Sequence, residues 1–447
     1  MKFVVLFIQS HWHTHAVLII LSTLVIGCYA EEQGIEQPNI LLVLIDDCSA
    51  DELACYGNKQ HKTPRLDNLA EDGVRFETCW ATPLCSPSRA LIMTGRYGFR
   101  TGWYANNMKK NIPLPDENII FAQLLQEAGY RTAVAGKWQL PGDPPAYGFD
   151  ESNLWAYRSM LPEGVNHPGI ETTDSSKYNF MKPARFWYPS ILRNGEYLPT
   201  TIDDYGPDVH TDFLIDFMTR ESEKPFLAYY PMVLTHDPFF PTPVTVRSNE
   251  EKSGASDMDR NFKANVEYMD RCIGRMLDAL DKNGLRKNTV VIVTADNGTL
   301  RRGKGAAKEI GVWEPLIVHW PGKIKDLGVK PELIDFSDIF PTLADIAGIT
   351  VPEDYYQDGR SFLPLLLGHT YVEREFVFSY LDTRRLVRDK RWLLEGDGRF
   401  FDCGENRNPR GYREYIDVTQ SNDPEVLNAK KRFMKFLEDK PAPVKTK

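Results

Sequence analysis

The chain has 447 residues, 42% of them hydrophobic, enough apolar material for one large core or a large domain carrying a small one. Its formal net charge of -9 excludes a general affinity for polyanions, and with it nucleic acid as a partner, so an anionic substrate must be held by a local group of cations. Seven cysteines are too few for a disulfide scaffold in a chain this long; one bridge is allowed, and spacing alone assigns no pairing.

Residues 1–30 stand apart. Lys2 supplies a positive start, residues 16–27 are almost uninterrupted apolar sequence, and Cys28-Tyr29-Ala30 leads into Glu31-Glu32. This pattern fits a signal peptide better than a spanning helix, which needs about 20 apolar residues. Val25-Ile26-Gly27-Cys28 also resembles a bacterial lipoprotein box, which would leave Cys28 lipidated. Either route exports the protein, which is then periplasmic, secreted or lipid-anchored at the cell envelope, with no transmembrane domain in the mature chain. His11, His13 and His15 fall inside this segment and are set aside as a metal cluster.

Residues 39–45 (NILLVLI) form a continuous apolar run, the pattern of a strand buried on both faces of a parallel or mixed sheet. The run ends at Asp46-Asp47. Ligand sites collect at the carboxyl ends of strands in open α/β sheets, and two adjacent carboxylates there call for a cation between them, with Ca²⁺ or Mg²⁺ suited to hard oxygen donors. At 83–102 (PLCSPSRALIMTGRYGFRTG) an extended run ends at Cys85, and Ser86-Pro87 predicts a helix start. Cys85 and Arg89, four apart, then share one face at a helix end rich in free N–H donors. Residues 118–128 predict a helix closed by Gly129, and 132–135 a short strand followed by Gly136-Lys137-Trp138-Gln139.

Residues 142–207 have poor periodicity and carry Trp155, Tyr157, Tyr178, Phe186, Trp187 and Tyr188. These aromatics either line a binding wall for sugar rings or pack the loops together. A helix is predicted over 208–220 and a buried strand over 226–230, leading to His236. Residues 262–280 carry Val266, Met269, Ile273, Met276, Leu277 and Leu280 at helical spacing, a core face. A β-branched strand over 289–294 ends at Asp296-Asn297-Gly298, a carboxylate and an amide oxygen that mirror Asp46-Asp47 as hard donors. Lys304 follows between two glycines, where backbone and ammonium can both approach an anion. Beyond it come a strand over 316–320, a helix over 338–347 and short alternating strands from 376 that predict a small antiparallel sheet. Asp423-Pro424 opens a last helix, with Val426, Leu427, Phe433, Met434 and Leu437 as its predicted apolar side.

Pro83-Leu84-Cys85-Ser86-Pro87-Ser88-Arg89 with Thr94-Gly95-Arg96 resembles the first signature of the sulfatase family, and Gly129-Tyr130-Arg131-Thr132 with Gly136-Lys137-Trp138 resembles the second. The resemblance runs from about residue 38 to about residue 428, with Asp46-Asp47 and Asp296-Asn297 in the family's order. It implies an alkaline-phosphatase-like α/β fold: a central mixed sheet flanked by helices in a catalytic domain over 31–371, with a small C-terminal antiparallel-sheet subdomain over 372–447. It also implies a sulfuric ester hydrolase in which a maturation enzyme converts Cys85 to formylglycine, whose hydrated aldehyde attacks sulfur. Asp46, Asp47, Asp296 and Asn297 would hold one Ca²⁺, or Mg²⁺, with the modified Cys85. Arg89 would stabilise the hydrate, and Lys137, His236 and Lys304 would contact sulfate, with His236 protonating the departing alcohol.

Two positions depart from the family pattern. Gln139 stands where many members have a histidine that hydrogen-bonds the formylglycine; an amide can orient a hydroxyl but cannot act as a base near neutral pH, so Gln139 is a site neighbour and not a catalytic base. Trp313 and Glu314 replace the usual arginine and apolar residue. Export and the aromatic-rich middle favour a carbohydrate sulfate as substrate, a sulfated glycan or a smaller sulfate ester. The alternatives are a phosphodiesterase or phosphonate monoester hydrolase with the same nucleophile, or a low-activity binder of sulfated glycans.

Overall fold

The computed structural model describes residues 37–106, 113–157, 160–165, 167, 184–249, 251–253, 258–404 and 414–442. The expected signal over 1–30, with Cys28, and the aromatic Tyr178 lie outside the described residues.

The main sheet is 11-stranded. In chain order its strands are β1 Asn39–Ile45, β2 Val74–Trp80, β3 Arg131–Gly136, β4 Glu151–Trp155, β5 Ile191–Arg193, β6 Glu196–Leu198, β7 Phe226–Pro231, β8 Thr289–Ala295, β9 Trp313–Glu314, β10 Leu316–His319 and β11 Gly328–Asp335. The spatial order is β11-β2-β10-β8-β1-β7-β3-β4-β5-β6, with β9 paired to β2. β1 runs parallel to both β7 and β8, β3 parallel to β7 and β4, and β10 antiparallel to β8 and β2. The sheet is therefore mixed, as expected.

β1 shows why its sequence reads as an unbroken apolar run. Side chains alternate between faces, so Ile40, Leu42 and Leu44 pack with Leu91, Met93, Phe121 and Leu343 from one set of helices. Leu41, Val43 and Ile45 pack with Leu69, Leu214, Met269 and Ile273 from another. The helices Cys85–Thr94, Phe121–Glu127 and Ile339–Ile346 thus cover one face, and Pro64–Glu71, Gly206–Thr219 and Met258–Lys282 cover the other. The expected core face of Met258–Lys282 is buried at all six named positions.

Two expectations for the middle and the end change. The poorly periodic stretch supplies β4, β5 and β6, which extend the sheet, and Trp155, Phe186 and Trp187 are buried, so they pack the loops rather than form an open wall. A second sheet is five-stranded and antiparallel, in the order β12 Val377–Leu381, β13 Arg384–Arg388, β14 Trp392–Leu394, β15 Phe400–Asp402 and β16 Ile416–Asp417. The helix Pro424–Glu438 covers it, capped by the Asp423 carboxylate accepting from Glu425 N–H at 2.8 Å. Its buried stripe is Val426, Ala429, Phe433 and Leu437, whereas Leu427 is 48% and Met434 57% exposed. Each follows a buried residue directly, which turns it about 100° around the helix and off the stripe. Cys48, Cys55, Cys79, Cys85 and Cys272 are free. Among the described residues no helix is long and apolar enough to cross a membrane.

Candidate active site

Because β1, β3, β7 and β8 are parallel, their carboxyl ends lie along one edge of the sheet, and the segments beyond them meet there. β1 delivers Asp46 and Asp47, β3 delivers Lys137, β7 delivers His236, and β8 delivers Asp296, Asn297 and Lys304. β2 points the same way, since it and β8 are both antiparallel to β10, and it leads to Cys85. The helix begins at Cys85 itself, one residue earlier than predicted, behind an extended Leu84. The thiol therefore sits in the first turn, and Gly95 ends the helix in the left-handed conformation at φ 66°.

Cys85 Sγ lies 3.7 Å from Asp46 Oδ1, 3.7 Å from Asp47 Oδ1 and 3.3 Å from Lys137 Nζ. Lys137 Nζ also donates to both oxygens of Asp46, at 2.7 and 2.8 Å. Burial alone would push the Asp46 carboxyl up, but Lys137, with His236, Arg89 and Lys304, holds it well below the usual carboxylate range. Asp47, at φ 60°, accepts from Asn297 Nδ2 at 2.8 Å on one oxygen and from Lys304 Nζ at 2.7 Å on the other. Asp296 accepts on Oδ2 from Arg89 Nη2 at 2.7 Å and Nε at 3.2 Å, and on Oδ1 from Asp47 N–H at 3.1 Å. Burial, reinforced by Asp46, pushes Asp296 up, and Arg89 pulls against that shift.

Backbone packing places these groups. Gly136 has φ 120°, and a Cβ there would stand 2.0 Å from Pro231 O, so only glycine lets β3 turn against β7 immediately before Lys137. In the Lys304 loop a Cβ on Gly303 would stand 2.0 Å from Ile310 O. The loop is tied to the Cys85 stretch by Gly305 N–H donating to Pro83 O at 2.8 Å. It is tied to the second sheet by a buried Arg388–Glu309 ion pair and by Gly396 N–H donating to Ala307 O at 2.9 Å. Neighbouring Arg302 turns elsewhere, to Asp51 and Glu52.

The hydrogen bonds of His236 fix its tautomer. Lys304 Nζ, a donor only, lies 2.8 Å from Nε2, so that nitrogen accepts. Nδ1 then carries the proton, facing Asp237 O at 2.7 Å and Asp237 Oδ1 at 2.8 Å. Burial opposes charge on Lys304, but Cys85, Asp47 and Asp46 hold its ammonium well above the usual lysine value.

A divalent cation fits this set. One ligand atom from each of Asp46, Asp47, Cys85 and His236 falls within a 4.8 Å group. Asn297 Oδ1 is buried and has no hydrogen-bond partner among the described residues, an orphaned hard donor beside three carboxylates. Asp296 is drawn toward Arg89 and lies outside that four-residue group. Gln139, at φ 51°, also has a buried Oε1 without a partner among the described residues.

Three neighbours carry no motif in the sequence: Arg185, whose Nη1 is 3.7 Å from Asp46 Oδ2; Asp237; and the Tyr157 hydroxyl. The one signal for Arg185 is a charge inside the apolar run Ala184-Arg185-Phe186-Trp187.

A buried thiol set among carboxylates and lysines, at the carboxyl edge of a mixed α/β sheet, is an arrangement suited to hydrolysing an anionic ester. Comparison with known proteins narrows the class. The Sulfatase family model matches residues 38–349. Human arylsulfatase D is 29% identical over 467 residues, covering 86% of this chain and 77% of its own length. Human arylsulfatase A is 32% identical over 379 residues (77% and 70%), and dog N-acetylgalactosamine-6-sulfatase 30% over 402 residues (83% and 73%). Among solved structures, Ps i-CgsB superposes with a TM-score of 0.71 at 23% identity, covering 90% of this chain and 92% of that one. A protein solved with its substrate D-glucosamine-2-N,6-O-disulfate gives 0.66 at 20% identity (90% and 97%). The phosphonate monoester hydrolase of Agrobacterium radiobacter gives 0.65 at 19% (89% and 95%). The chain belongs to the sulfatase family and is a sulfuric ester hydrolase.

Proposed function

We propose that the protein releases inorganic sulfate from a carbohydrate sulfate, using an oxygen nucleophile made from Cys85. The observation that carries this reading is the position of Cys85. Its Sγ stands 3.7 Å from Asp46, 3.7 Å from Asp47 and 3.3 Å from Lys137, where the reacting group of such a site belongs. Burial, and after it Asp296, pushes the thiol well above the ordinary cysteine value, which favours an oxygen nucleophile at that place. Conversion of Cys85 to formylglycine by a maturation enzyme would supply an aldehyde hydrate, a hydroxyl nucleophile, at that place.

The chain's own residues take the other roles. Asp46, Asp47, Asp296 and Asn297 would hold Ca²⁺, or Mg²⁺, which supplies charge stabilisation to the sulfate oxygens. Lys137 brings a buried and Lys304 a part-buried ammonium group to the anion, and Arg89 pairs with Asp296 while donating Nη1–H to the Lys137 carbonyl at 2.5 Å. His236 holds its proton on Nδ1 against Asp237, and Nε2, which accepts from Lys304 Nζ, would relay a proton from that ammonium to the departing alcohol. Gln139 orients the nucleophile as a hydrogen-bonding neighbour. Residues 31–371 form the catalytic domain and 372–447 a subdomain that braces the Lys304 loop, and residues 1–30 direct export. The N-acetylgalactosamine-6-sulfatase relative and the neighbour solved with a disulfated glucosamine support a sugar sulfate as substrate.

The test is mass spectrometry of the Cys85 peptide from protein made in its native host, with parallel assays on sulfated sugars, aryl sulfates and phosphate and phosphonate esters. Formylglycine at Cys85 and a preference for sulfate esters are expected. Active protein with only thiol at Cys85 sinks the nucleophile, and a preference for phosphate or phosphonate esters sinks the substrate class.

A further inference from the structure

A cleft of about 1110 Å³ lies between residues 57–62 and the first turns of the helix Met258–Lys282, with Arg302 as a third wall. Two links place it beside the active site. Arg302 is two residues from Lys304, a backbone span of at most about 7 Å. Phe262, in the cleft lining, packs on Phe239 with ring centroids 5.1 Å apart, and Phe239 is three residues beyond His236. Asn261 Nδ2 fastens that contact by donating to Phe239 O at 2.9 Å. His236 Nε2 and Lys304 Nζ, 2.8 Å apart, are the pair that meets the departing alcohol in the reading above. The cleft therefore adjoins the alcohol side of the ester.

Its charge and its stiffness both suit an anion. Lys59, Lys62, Arg260 and Lys263 bring four positive charges to the lining. The carboxylates that line it among the described residues are Glu52, which pairs with Arg302, and Asp259. Lys263 has Glu267 at 3.9 Å, but both side chains are well exposed, and such a pair is weak in water. In a chain of net charge -9, a surplus of cations around one concave wall is where the field turns positive. The wall is also fixed. Asn58 Nδ2 donates to Asp51 O at 2.8 Å, and Asn58 Oδ1 accepts from Gln60 N–H at 2.8 Å and His61 N–H at 2.9 Å, which pins the loop carrying Lys59 and Lys62. Buried His61 sets Nδ1 3.0 Å from Glu52 O and stands edge-on to Phe262, with centroids 5.6 Å apart. A site of this kind, aromatic and rigid with cations at its edge, selects a flat ring carrying an oxyanion.

We propose that this cleft binds a second oxyanion of the substrate, a sulfate or carboxylate on the sugar unit beyond the scissile ester. The substrate is then a glycan with at least two negative charges, larger than a simple aryl sulfate or a monosulfated sugar. The proposal rests on the sulfate-ester reading above and assigns the alcohol side of that substrate. Lys59, Lys62 and Lys263 set affinity there and touch none of the reacting atoms.

The experiment uses the full chain carrying Cys85→Ala, which cannot turn over, and titrates a heparin-derived hexasaccharide calorimetrically in the presence of calcium. Adding Lys59→Ala, Lys62→Ala and Lys263→Ala together is expected to weaken the hexasaccharide about ten-fold. A control triple of exposed lysines outside the cleft, Lys287→Ala, Lys323→Ala and Lys325→Ala, is expected to stay near the parent. Desulfated and carboxyl-reduced hexasaccharides assign the contact to one oxyanion, and lysine-dependent binding of either form supports the proposal. In matured enzyme with Cys85 intact, the cleft triple changes KM for an aryl sulfate less than it changes hexasaccharide affinity. Parental affinity in the cleft triple overturns the proposal, as does an equal loss in the control triple or full binding by a hexasaccharide stripped of both oxyanions. Hydrolysis of sulfate esters by a protein whose hexasaccharide binding ignores the cleft lysines removes the cleft alone. Cleft-dependent binding in a matured protein that cleaves no sulfate ester removes the functional reading alone.

Discussion

Replacing Arg89 with methionine tests whether the acidic half of the site is built around a cation. Arg89 is fully buried, and it gives Asp296 Oδ2 two N–H donors, at 2.7 and 3.2 Å, and the Lys137 carbonyl a third at 2.5 Å. Without it Asp296 is a buried charge whose nearest compensation is gone. Removing one partner of such a pair costs about 3–5 kcal/mol. The urea slope grows with surface exposed on unfolding; taking about 4 kcal/mol/M for a chain of this size, the midpoint falls by about 1 M. That is the expectation in EDTA. With calcium bound beside Asp46 and Asp47, the ion compensates Asp296 in Arg89's place. The loss then shrinks to about 1–2 kcal/mol, chiefly the orphaned Lys137 carbonyl. The assay is urea unfolding of parent and variant in EDTA and in calcium, followed by tryptophan fluorescence. Aryl sulfate turnover, read alongside, is expected to drop about 10²–10³-fold, because Arg89 stands one helical turn from Cys85. Equal shifts in EDTA and calcium would show that no ion neighbours Asp296 and would refute the metal assignment. A shift below about 1 kcal/mol in both would refute the buried-pair argument itself.

Asn297→Ala removes the orphaned amide oxygen and is expected to weaken Ca²⁺ about ten-fold, measured by calorimetry on metal-stripped protein; unchanged affinity would exclude Asn297 as a ligand. His210 accepts from Asn153 Nδ2 at 2.9 Å, and burial pulls its imidazole down from 6.5 to about 3. The unfolded chain therefore takes up a proton below pH 6.5 that the folded one refuses until pH falls to about 3, and stability drops as pH falls through that window. By pH 5 the loss is about 2 kcal/mol, and His210→Asn should remove that share of the pH slope in urea unfolding. Arg388→Met breaks the buried pair with Glu309, at a cost of about 3 kcal/mol. It should also lower kcat by loosening the Lys304 loop, and full activity in the folded variant would show that the second sheet does not brace that loop.

The legible parts of this protein are those where one local pattern has one tertiary meaning. A strand buried on both faces leaves no doubt about residues 39–45, and the carboxyl end of such a strand is where Asp46 and Asp47 can meet charges from other strands. The helix face shared by Cys85 and Arg89 needs only the four-residue spacing, and it survives the one-residue shift in helix start. Legibility fails where contact depends on distant packing. Leu427 and Met434 are apolar enough to join a core stripe, yet the stripe chosen by the second sheet passes through Ala429. The short strands β4, β5 and β6 form because β3 offers them an edge, which their own sequence does not announce.

The charge arrangement follows the same logic at the level of the whole molecule. A chain with net charge -9 binds an anion only if its cations are gathered and its carboxylates occupied. Asp46 shows how: Lys137 is at 2.7 Å, Arg185 at 3.7 Å and Arg89 at 3.8 Å from its oxygens, arriving respectively after β3, from the segment before β5 and from the Cys85 helix. A carboxylate with several cationic neighbours works as an organiser, since it holds mutually repelling charges within reach of one point. Converting Asp46 to a neutral residue would remove a metal donor and also free those cations to separate, so Asp46→Asn should weaken sulfate and calcium together. Loss of calcium binding alone, with sulfate affinity intact, would show that the cations are positioned by packing and not by Asp46.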